Sequence, residues 1–305
     1  MFSYGKRQWS LGKDIYGNGN WRQKRRITLF VGRSYKNRKQ VVGLRNFFKG
    51  YTILPNLLKR HEGIHEVINR VFLYKNSSAQ ERLDALKDHF TMLPKYFSVP
   101  AIQAMYNNDR SKAVEIWSDE ELGLHGDIWF DTGQRKEGFL SLFFRYEDKG
   151  LYHINFRLGH GFNGEPCIWI GTIQGYKDGL DAAKKITKKM HGYRPKNFIF
   201  FLMRQLTKAM GIQSLYAVSD EGFYTNSHLI RINRSKKVKF DPFWQELGGT
   251  VCPEDSRFYR IPLEEERKTY DEMKTHKRNM YRKRYDMLDS YITAIDTLNA
   301  SYLIK

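Results

Sequence analysis

The sequence is poor in cysteine and has no long apolar stretch, and each shortage excludes a class of protein. Its 305 residues include two cysteines, Cys167 and Cys252, which have neither metal-site spacing nor the number that a disulfide framework needs. We therefore expect free thiols in a reducing compartment and no disulfide partner. The longest apolar run, residues 198–203, is far below the roughly 20 residues that span a bilayer. The first residues also lack the apolar core of a signal peptide, which predicts a cytoplasmic protein.

Acidic residues are nearly absent from the first sixty positions. Residues 1–60 contain fifteen Lys or Arg and one acid, Asp14, so they carry a net charge of +14 out of +19 for the chain. Aromatic residues are interleaved with these cations: Tyr4, Trp9, Tyr16, Trp21, Tyr35, Phe47 and Phe48. Such segments bind anionic lipid head groups or nucleic acid, or they simply form a solvated face. All three interpretations stay open, and we favour an anionic membrane over nucleic acid.

The chain after residue 55 begins with a helical hydrophobic period. Residues 56–74 and 77–93 have apolar residues at three-to-four spacing, which predicts helices. Ser77 or Ser78 is the expected cap of the second helix, with Glu81 in its first turn.

The period then changes to that of strands. Residues 139–147 and 151–158 predict a β-hairpin, and 167–173 is apolar on both faces, which is typical of a strand inside a sheet. In the second hairpin strand, one face is exposed to solvent or forms a wall of a cleft: His153, Asn155 and Arg157.

A strand–helix–strand crossover follows, which implies a partly parallel sheet. Residues 167–173 and 214–219 are its strands, with a helix opening at Pro195 between them. A last helix is predicted from about Glu264, with glutamates at its N-terminal end and a basic stretch after them. The sequence thus predicts an α/β protein with three regions: a basic, mainly helical region (1–125), a mixed-sheet core (126–263) and a basic C-terminal helix (264–305).

Five motifs in order resemble the VirK/YbjX family of Gram-negative bacteria. They are IWIGTIQG, HGYRPKNF, LYAVSD, DPFWQELGG and HKRNMYRKRYDML, and the likeness covers roughly residues 40–295. The resemblance implies a role in virulence and envelope functions. The positive charge of the N-terminal residues predicts a location peripheral to the inner membrane. It supplies no biochemical activity residue by residue.

The order of elements is also similar to that of GNAT-type acyltransferases, with flanking helices around a mixed sheet. This likeness implies an acyl donor, either acyl-CoA or acyl carrier protein. Two departures stand against the activity. Gln174 and Gly175 are not followed by the spacing of the GNAT phosphate loop, and the usual tyrosine acid falls at Trp244, which cannot donate a proton in that role.

Residues 61–65 (HEGIH) match the H-E-x-x-H pattern of zinc proteases, with His61 and His65 as ligands and Glu62 as base. Gly63 weakens the helix that the motif needs. A third ligand would have to be His89 or Glu81. We therefore interpret the segment as a polar helix face and predict no metal.

Residues 190–196 predict an anion site. His191, Arg194 and Lys196 converge on a turn that opens a helix, where backbone N–H groups favour negative charge. With Gln174 and Gly175 they would hold the phosphates of an acyl donor. The alternative is that these cations pair with acids at the surface.

The segment 217–228 follows a strand of the parallel pair, and ligands gather at the carboxyl ends of such strands. Its candidate catalytic residues are Ser219, Asp220, Tyr224 and His228, although no nucleophile elbow is present. A loop that only caps the strand is the alternative.

Two functions follow from these observations. The first is a GNAT-like acyltransferase at the cytoplasmic face of the membrane. The second is a non-catalytic basic protein that binds an anionic membrane, nucleic acid or an exported polypeptide.

Overall fold

The computed structural model describes residues 2–176, 179–227, 239–269 and 271–304. Its N-terminal part is helical, and Ser78 caps the sixth helix in a reciprocal capping box with Glu81. The Ser77 hydroxyl instead donates to the carbonyl of Phe72 at 2.6 Å. The helices are α1 (Phe2–Tyr16), α2 (Trp21–Lys36), α3 (Arg38–Gly50), α4 (Leu57–Arg60), α5 (His65–Asn69), α6 (Ala79–Tyr96) and α7 (Val99–Met105).

Eight strands form one mixed sheet in the order β1-β2-β3-β4-β5-β6-β8-β7. Neighbours are antiparallel except β5 and β6, which are parallel. This parallel pair is the crossover that the sequence predicts. The strands are β1 (Val114–Asp119), β2 (Leu124–Trp129), β3 (Leu140–Tyr146), β4 (Lys149–His160), β5 (Pro166–Gly175), β6 (Ser214–Val218), β7 (Thr250–Val251) and β8 (Phe258–Arg260).

Four more helices flank the sheet: α8 (Leu180–Lys189), α9 (Pro195–Ala209), α10 (Asp241–Glu246) and α11 (Arg278–Asn299). Pro195 opens α9, which packs against β3 and β4. Helix α11 crosses β1 and α9. The mixed α/β fold with an N-terminal helical region and a long C-terminal helix is confirmed.

The basic first sixty residues are part of the hydrophobic core. Val41, Leu44 and Leu57 are fully buried in the same cluster as Leu142 and Ile168 of the sheet. Because removal of this segment would open the core, its charges have to be tested by point substitutions in the full chain.

The helix predicted over 56–74 is broken. Helix α4 ends at Arg60, residues Glu62–Ile64 form a single 3₁₀ turn, and α5 ends at Asn69. The side chains of Thr132 and Arg135 lie so near Gly63 that a Cβ there would come within 2.9 Å of either. Packing of the 130–139 loop against this segment therefore replaces one regular helix with two short ones.

The C-terminal helix begins at Arg278 rather than at Glu264. Glu264 pairs with Lys208 at 2.8 Å, and Glu265 accepts a hydrogen bond from the Tyr193 hydroxyl at 2.7 Å. These carboxylates bind side chains of α9 and of the turn before it, so the helix-dipole interpretation of the glutamates was wrong.

Candidate functional site

The parallel strands diverge at their carboxyl ends. Strand β5 pairs with β6 from Cys167–Ser214 to Ile170–Ala217, and then continues to Gly175 paired with β4 only. A cleft of about 1770 Å³ lies at this end of the pair, lined by Gln174 of β5 and by residues 223–225 after β6. The volume exceeds the roughly 300–1,000 Å³ of a drug-sized site, so the cleft can take a large ligand.

One wall of the cleft is strongly basic. Helix α2 faces it with side chains at helical spacing, and residues 69–79 and 134–137 complete the lining. Its cations include Arg22, Arg25, Arg26, Arg33 and Lys36 of α2, with Arg70, Arg82 and Lys136. Among the described lining residues Glu137 is the only acid. The cleft therefore favours an anionic ligand.

Three of these cations are held by neighbouring groups. Arg82 donates to the backbone carbonyls of Val67 and Ile68 at 2.6 and 2.8 Å. The Arg70 guanidinium pairs with Glu66 at 3.0 Å, and the Arg26 guanidinium lies 4.6 Å from the ring centre of Tyr16. By contrast, Arg22, Arg25, Arg33, Lys36 and Lys136 make no salt bridge within the part of the chain that the structure describes.

A buried polar row forms the floor of the cleft. The Tyr224 phenol lies close enough to the Glu137 carboxylate for that charge to add to burial in raising the pKa of the tyrosine, and the Asn155 Nδ2 lies 3.4 Å from the Glu137 Oε2 and 3.2 Å from the Gln134 Oε1. The Ser141 hydroxyl donates to the Asn155 Oδ1 at 2.7 Å. Glu137 thus lies at the end of a hydrogen-bonded path across two strands.

Tyr224 is half-buried at the mouth of this row. Burial, followed by the charge of the neighbouring Glu137 carboxylate, raises the pKa of Tyr224 far above its ordinary value. The phenol therefore keeps its proton at neutral pH and can act as a hydrogen-bond or proton donor.

Glycine lets the Glu137 backbone reach the sheet. A Cβ on Gly171 of β5 would lie 1.8 Å from the Glu137 carbonyl oxygen, and a Cβ on Gly138 would lie 2.6 Å from the backbone of Phe156. The side chains of His153, Asn155 and Arg157 on β4 are buried rather than exposed to solvent. Asn155 contacts Gln134 and Glu137 of the loop 130–139, His153 packs against the Tyr176 ring, and the Arg157 guanidinium lies over the Trp169 ring.

The four candidate catalytic residues have different environments. The Ser219 hydroxyl accepts from the Gly222 N–H at 2.9 Å and donates to the Ser256 carbonyl at 3.1 Å. The Asp220 carboxylate accepts from the backbone N–H of Phe240. The side chains of Ser219 and Asp220 therefore stabilise the backbone of loops, whereas Tyr224 lines the cleft. His228 lies outside the described residues.

The proposed anion-binding turn contacts other elements. Arg194 pairs with Glu246, and the Lys196 ammonium lies 3.8 Å from the ring centre of Phe243. The carbonyl of His191 accepts two hydrogen bonds from Arg284, at 3.1 and 2.9 Å. Gln174 lines the cleft, but these three residues do not. Gly175 ends β5 at an exposed position.

The interpretation of the HEGIH segment as a polar helix face was wrong, because His61 and His65 are buried and used in packing. His61 Nε2 donates to the carbonyl of Tyr106 at 2.9 Å, and its Nδ1 lies 3.2 Å from the Thr132 hydroxyl. His65 is buried near Arg45 and Arg7, and burial lowers its pKa to about 4. His89 bonds the Tyr106 hydroxyl at 2.7 Å, and Glu81 caps α6. No group of three or more metal-ligating side chains occurs in the described ranges.

Sequence reasoning missed Glu137 and the cleft-facing side of α2. Glu137 lies in an irregular loop and belongs to no motif. The cleft-facing side of α2 could have been found in the sequence, because its cations recur with the helical period: Arg22, Arg26, Arg33 and Lys36.

Every helix in the described residues is too short or too polar to cross a lipid bilayer. No solved structure matches the chain.

Comparison with curated proteins finds relatives in Gram-negative bacteria. An uncharacterized protein of Haemophilus influenzae is 27% identical over 298 residues, which are 95% of this chain and 94% of that protein. The uncharacterized protein YbjX of Escherichia coli is 28% identical over 77% of this chain and 73% of its own length. The membrane protein LapB of Mannheimia haemolytica is 30% identical over 54% of this chain and 70% of its own.

A family model described as "Protein of unknown function (DUF535)" matches residues 19–297. Because that match covers most of the chain and YbjX is among the relatives, the chain belongs to the DUF535 family, the VirK/YbjX family that its sequence motifs resemble.

Proposed function

We propose that the protein is an acyltransferase that takes its acyl group from a thioester carrier, acyl-CoA or acyl carrier protein, bound in the cleft. The observation that carries the proposal is the Glu137–Tyr224 pair on the floor of a basic cleft where β5 and β6 separate. The order of strands around this opening supports it, because it agrees with the GNAT likeness of the sequence.

The pair has the two groups that acyl transfer needs. An acceptor hydroxyl or amine attacks the thioester carbonyl carbon, the carbon–sulfur bond breaks, and the acceptor's proton passes to the Glu137 carboxylate. Tyr224 gives its proton to the departing thiolate and receives one from Glu137. The raised pKa of Tyr224 keeps this proton in place until the thiolate forms.

The basic wall supplies the binding energy for the donor. Both carriers bear phosphate on the pantetheine arm or its nucleotide, and guanidinium groups bind phosphate through charge-assisted hydrogen bonds. Several cations of α2 have no carboxylate partner in the described chain. In this proposal they bind the donor's phosphates, which the missing phosphate loop would otherwise bind.

Isothermal titration with octanoyl-CoA tests the proposal. Lys36→Gln removes a cation that lines the cleft, and Lys24→Gln removes one from the same helix outside the lining. We expect micromolar binding by the wild type, a loss of about tenfold for Lys36→Gln, or about 1.4 kcal/mol, and less than twofold for Lys24→Gln. Absence of binding by the wild type, or equal losses for the two variants, contradicts the proposal.

A non-catalytic anion-binding protein is the alternative, and the missing phosphate-loop spacing favours it. It shares the binding result but predicts no release of CoA from octanoyl-CoA with any acceptor.

A further inference from the structure

The part of α2 from Trp21 to Leu29 combines exposed apolar side chains with cations. Trp21 is 75% exposed and Leu29 is 45% exposed, and both line the cleft together with Arg22 and Arg25. The described chain exposes ten large apolar side chains. Five of them lie in the first sixty residues: Trp9, Trp21, Leu29, Tyr35 and Val42. A concentration of this kind marks an interaction surface.

The charge of the first sixty residues is not neutralised by ion pairs inside the described chain. Within the described residues no Lys or Arg of positions 1–60 forms a salt bridge, although the segment carries a net charge of +14. Ion pairs with acids of the folded core would have neutralised this charge. A surface of such unpaired cations with a tryptophan beside them complements an anionic lipid layer. In that layer the cations contact the lipid head groups, and the aromatic ring lies at the membrane–water interface.

We infer that the Trp21–Leu29 part of α2 docks on an anionic membrane and that the cleft receives a hydroxyl-bearing anionic phospholipid from it as the acyl acceptor. The acceptor assignment rests on the proposed function, whereas the docking surface does not. In the reaction an ester forms between the acyl carbon and the lipid oxygen, the carbon–sulfur bond breaks, and the lipid's proton ends on the thiol through Glu137 and Tyr224.

The position of the two apolar side chains supports this geometry. Trp21 and Leu29 are eight residues apart, or about 12 Å along a helix. They belong to the cleft lining, so a membrane that meets them lies at the cleft mouth. A lipid head group could then reach Arg22 and Arg25 without leaving the bilayer completely.

Vesicle co-sedimentation of the full-length protein tests the docking surface. The test variant is Trp21→Ser with Leu29→Ser. The matched control is Val99→Ser with Leu180→Ser, which removes two exposed apolar side chains elsewhere. Because all four side chains are exposed, the variants should keep the wild-type circular dichroism spectrum and melting temperature.

We expect wild type and control to bind vesicles of phosphatidylcholine with one quarter phosphatidylglycerol, and to release them as salt rises to about 0.5 M, because screening weakens the attraction. The test variant should bind at least tenfold more weakly. Any one of three results overturns the inference. The wild type does not bind the vesicles, the test and control variants bind them equally, or the wild type binds pure phosphatidylcholine as well as it binds the anionic vesicles. Displacement of the vesicles by a 20-nucleotide RNA that the test variant binds at least tenfold more weakly than the control does would assign the face to nucleic acid and also overturn the inference.

The acceptor is tested by transfer of labelled octanoate from octanoyl-CoA to vesicle lipid. Labelled phosphatidylglycerol supports the assignment. Docking without lipid labelling, while CoA is released to another acceptor, overturns the acceptor but keeps the acyltransferase. Docking with no CoA release from any acceptor overturns the proposed function and leaves the docking surface in place.

Discussion

The backbone of Glu137 lies directly on Gly171, because a Cβ at position 171 would come within 1.8 Å of the Glu137 carbonyl oxygen. The two residues are far apart in sequence, and their contact places the carboxylate of Glu137 beside Tyr224. We predict that Gly171→Ala pushes the 130–139 loop away and destabilises the protein by about 1–3 kcal/mol, which is typical of overpacking. Urea unfolding measures this change.

A glycine with free space is the control for that substitution. Gly32 lies in α2, and a Cβ added there would have no neighbouring atom within 4 Å. Gly32→Ala should therefore stabilise the protein by about 0.5–1 kcal/mol through helix propensity. Equal destabilisation by both substitutions would show that the contact between Gly171 and Glu137 is not the cause.

Tyr224→Phe removes the proton donor and keeps the ring. We expect the rate of CoA release from octanoyl-CoA, with an envelope lipid extract as acceptor, to fall about 100-fold, while octanoyl-CoA binding changes less than twofold. The control is Tyr291→Phe, which removes a tyrosine–carboxylate hydrogen bond to Asp119 outside the cleft. A rate for Tyr224→Phe within threefold of wild type would exclude Tyr224 as the donor.

Arg194→Ala tests whether the turn at 191–196 takes part in ligand binding or whether the cleft alone binds the ligand. Arg194 is paired with Glu246 at an exposed position, and such pairs contribute about 0–1 kcal/mol to stability. We expect Arg194→Ala to leave octanoyl-CoA binding within twofold of wild type, in contrast to Lys36→Gln. A tenfold loss on titration would restore the anion site that the sequence predicts at this turn.

The strands could be predicted from sequence because their signals are local. Residues 167–173 are apolar apart from Thr172, and Gly211, with a positive φ of 69°, follows the end of α9 before β6 begins. The buried side of β4 could not be predicted, because the alternation of His153, Asn155 and Arg157 is the same whether a loop or water covers them. Asn155 is covered by the loop 130–139, which has no periodicity, and His153 and Arg157 pack against the rings of Tyr176 and Trp169.

Two residues of the cleft lining were singled out from the sequence. Tyr224 follows from the rule that ligands gather at the carboxyl ends of parallel strands, and Gln174 was placed with the turn at 190–196; both line the cleft. Glu137 could not be predicted from the sequence, because a close backbone contact with Gly171 places it in the cleft. The pairing of Glu246 with Arg194 is likewise set by tertiary packing rather than by sequence spacing.

Buried neutral histidines should make the protein acid-labile. Burial lowers the pKa of His153 to about 4, and neither of its ring nitrogens has a hydrogen-bond partner in the described residues. The unfolded chain, with an ordinary pKa near 6.5, binds protons that the folded one does not, so stability is lost as pH falls from about 6.5 towards 4. From pH 7 to 5 this residue alone should cost about 2 kcal/mol of the free energy of unfolding.

His153→Phe keeps a ring of similar shape and cannot titrate. We therefore expect the variant to lose less stability between pH 7 and pH 5 than the wild type does, measured by urea unfolding at each pH. His276→Phe, at an exposed position, should keep the wild-type dependence. Parallel pH profiles for wild type and His153→Phe would show that the imidazole is solvated or paired in the folded protein, because only a group whose pKa differs between the folded and unfolded states makes stability depend on pH.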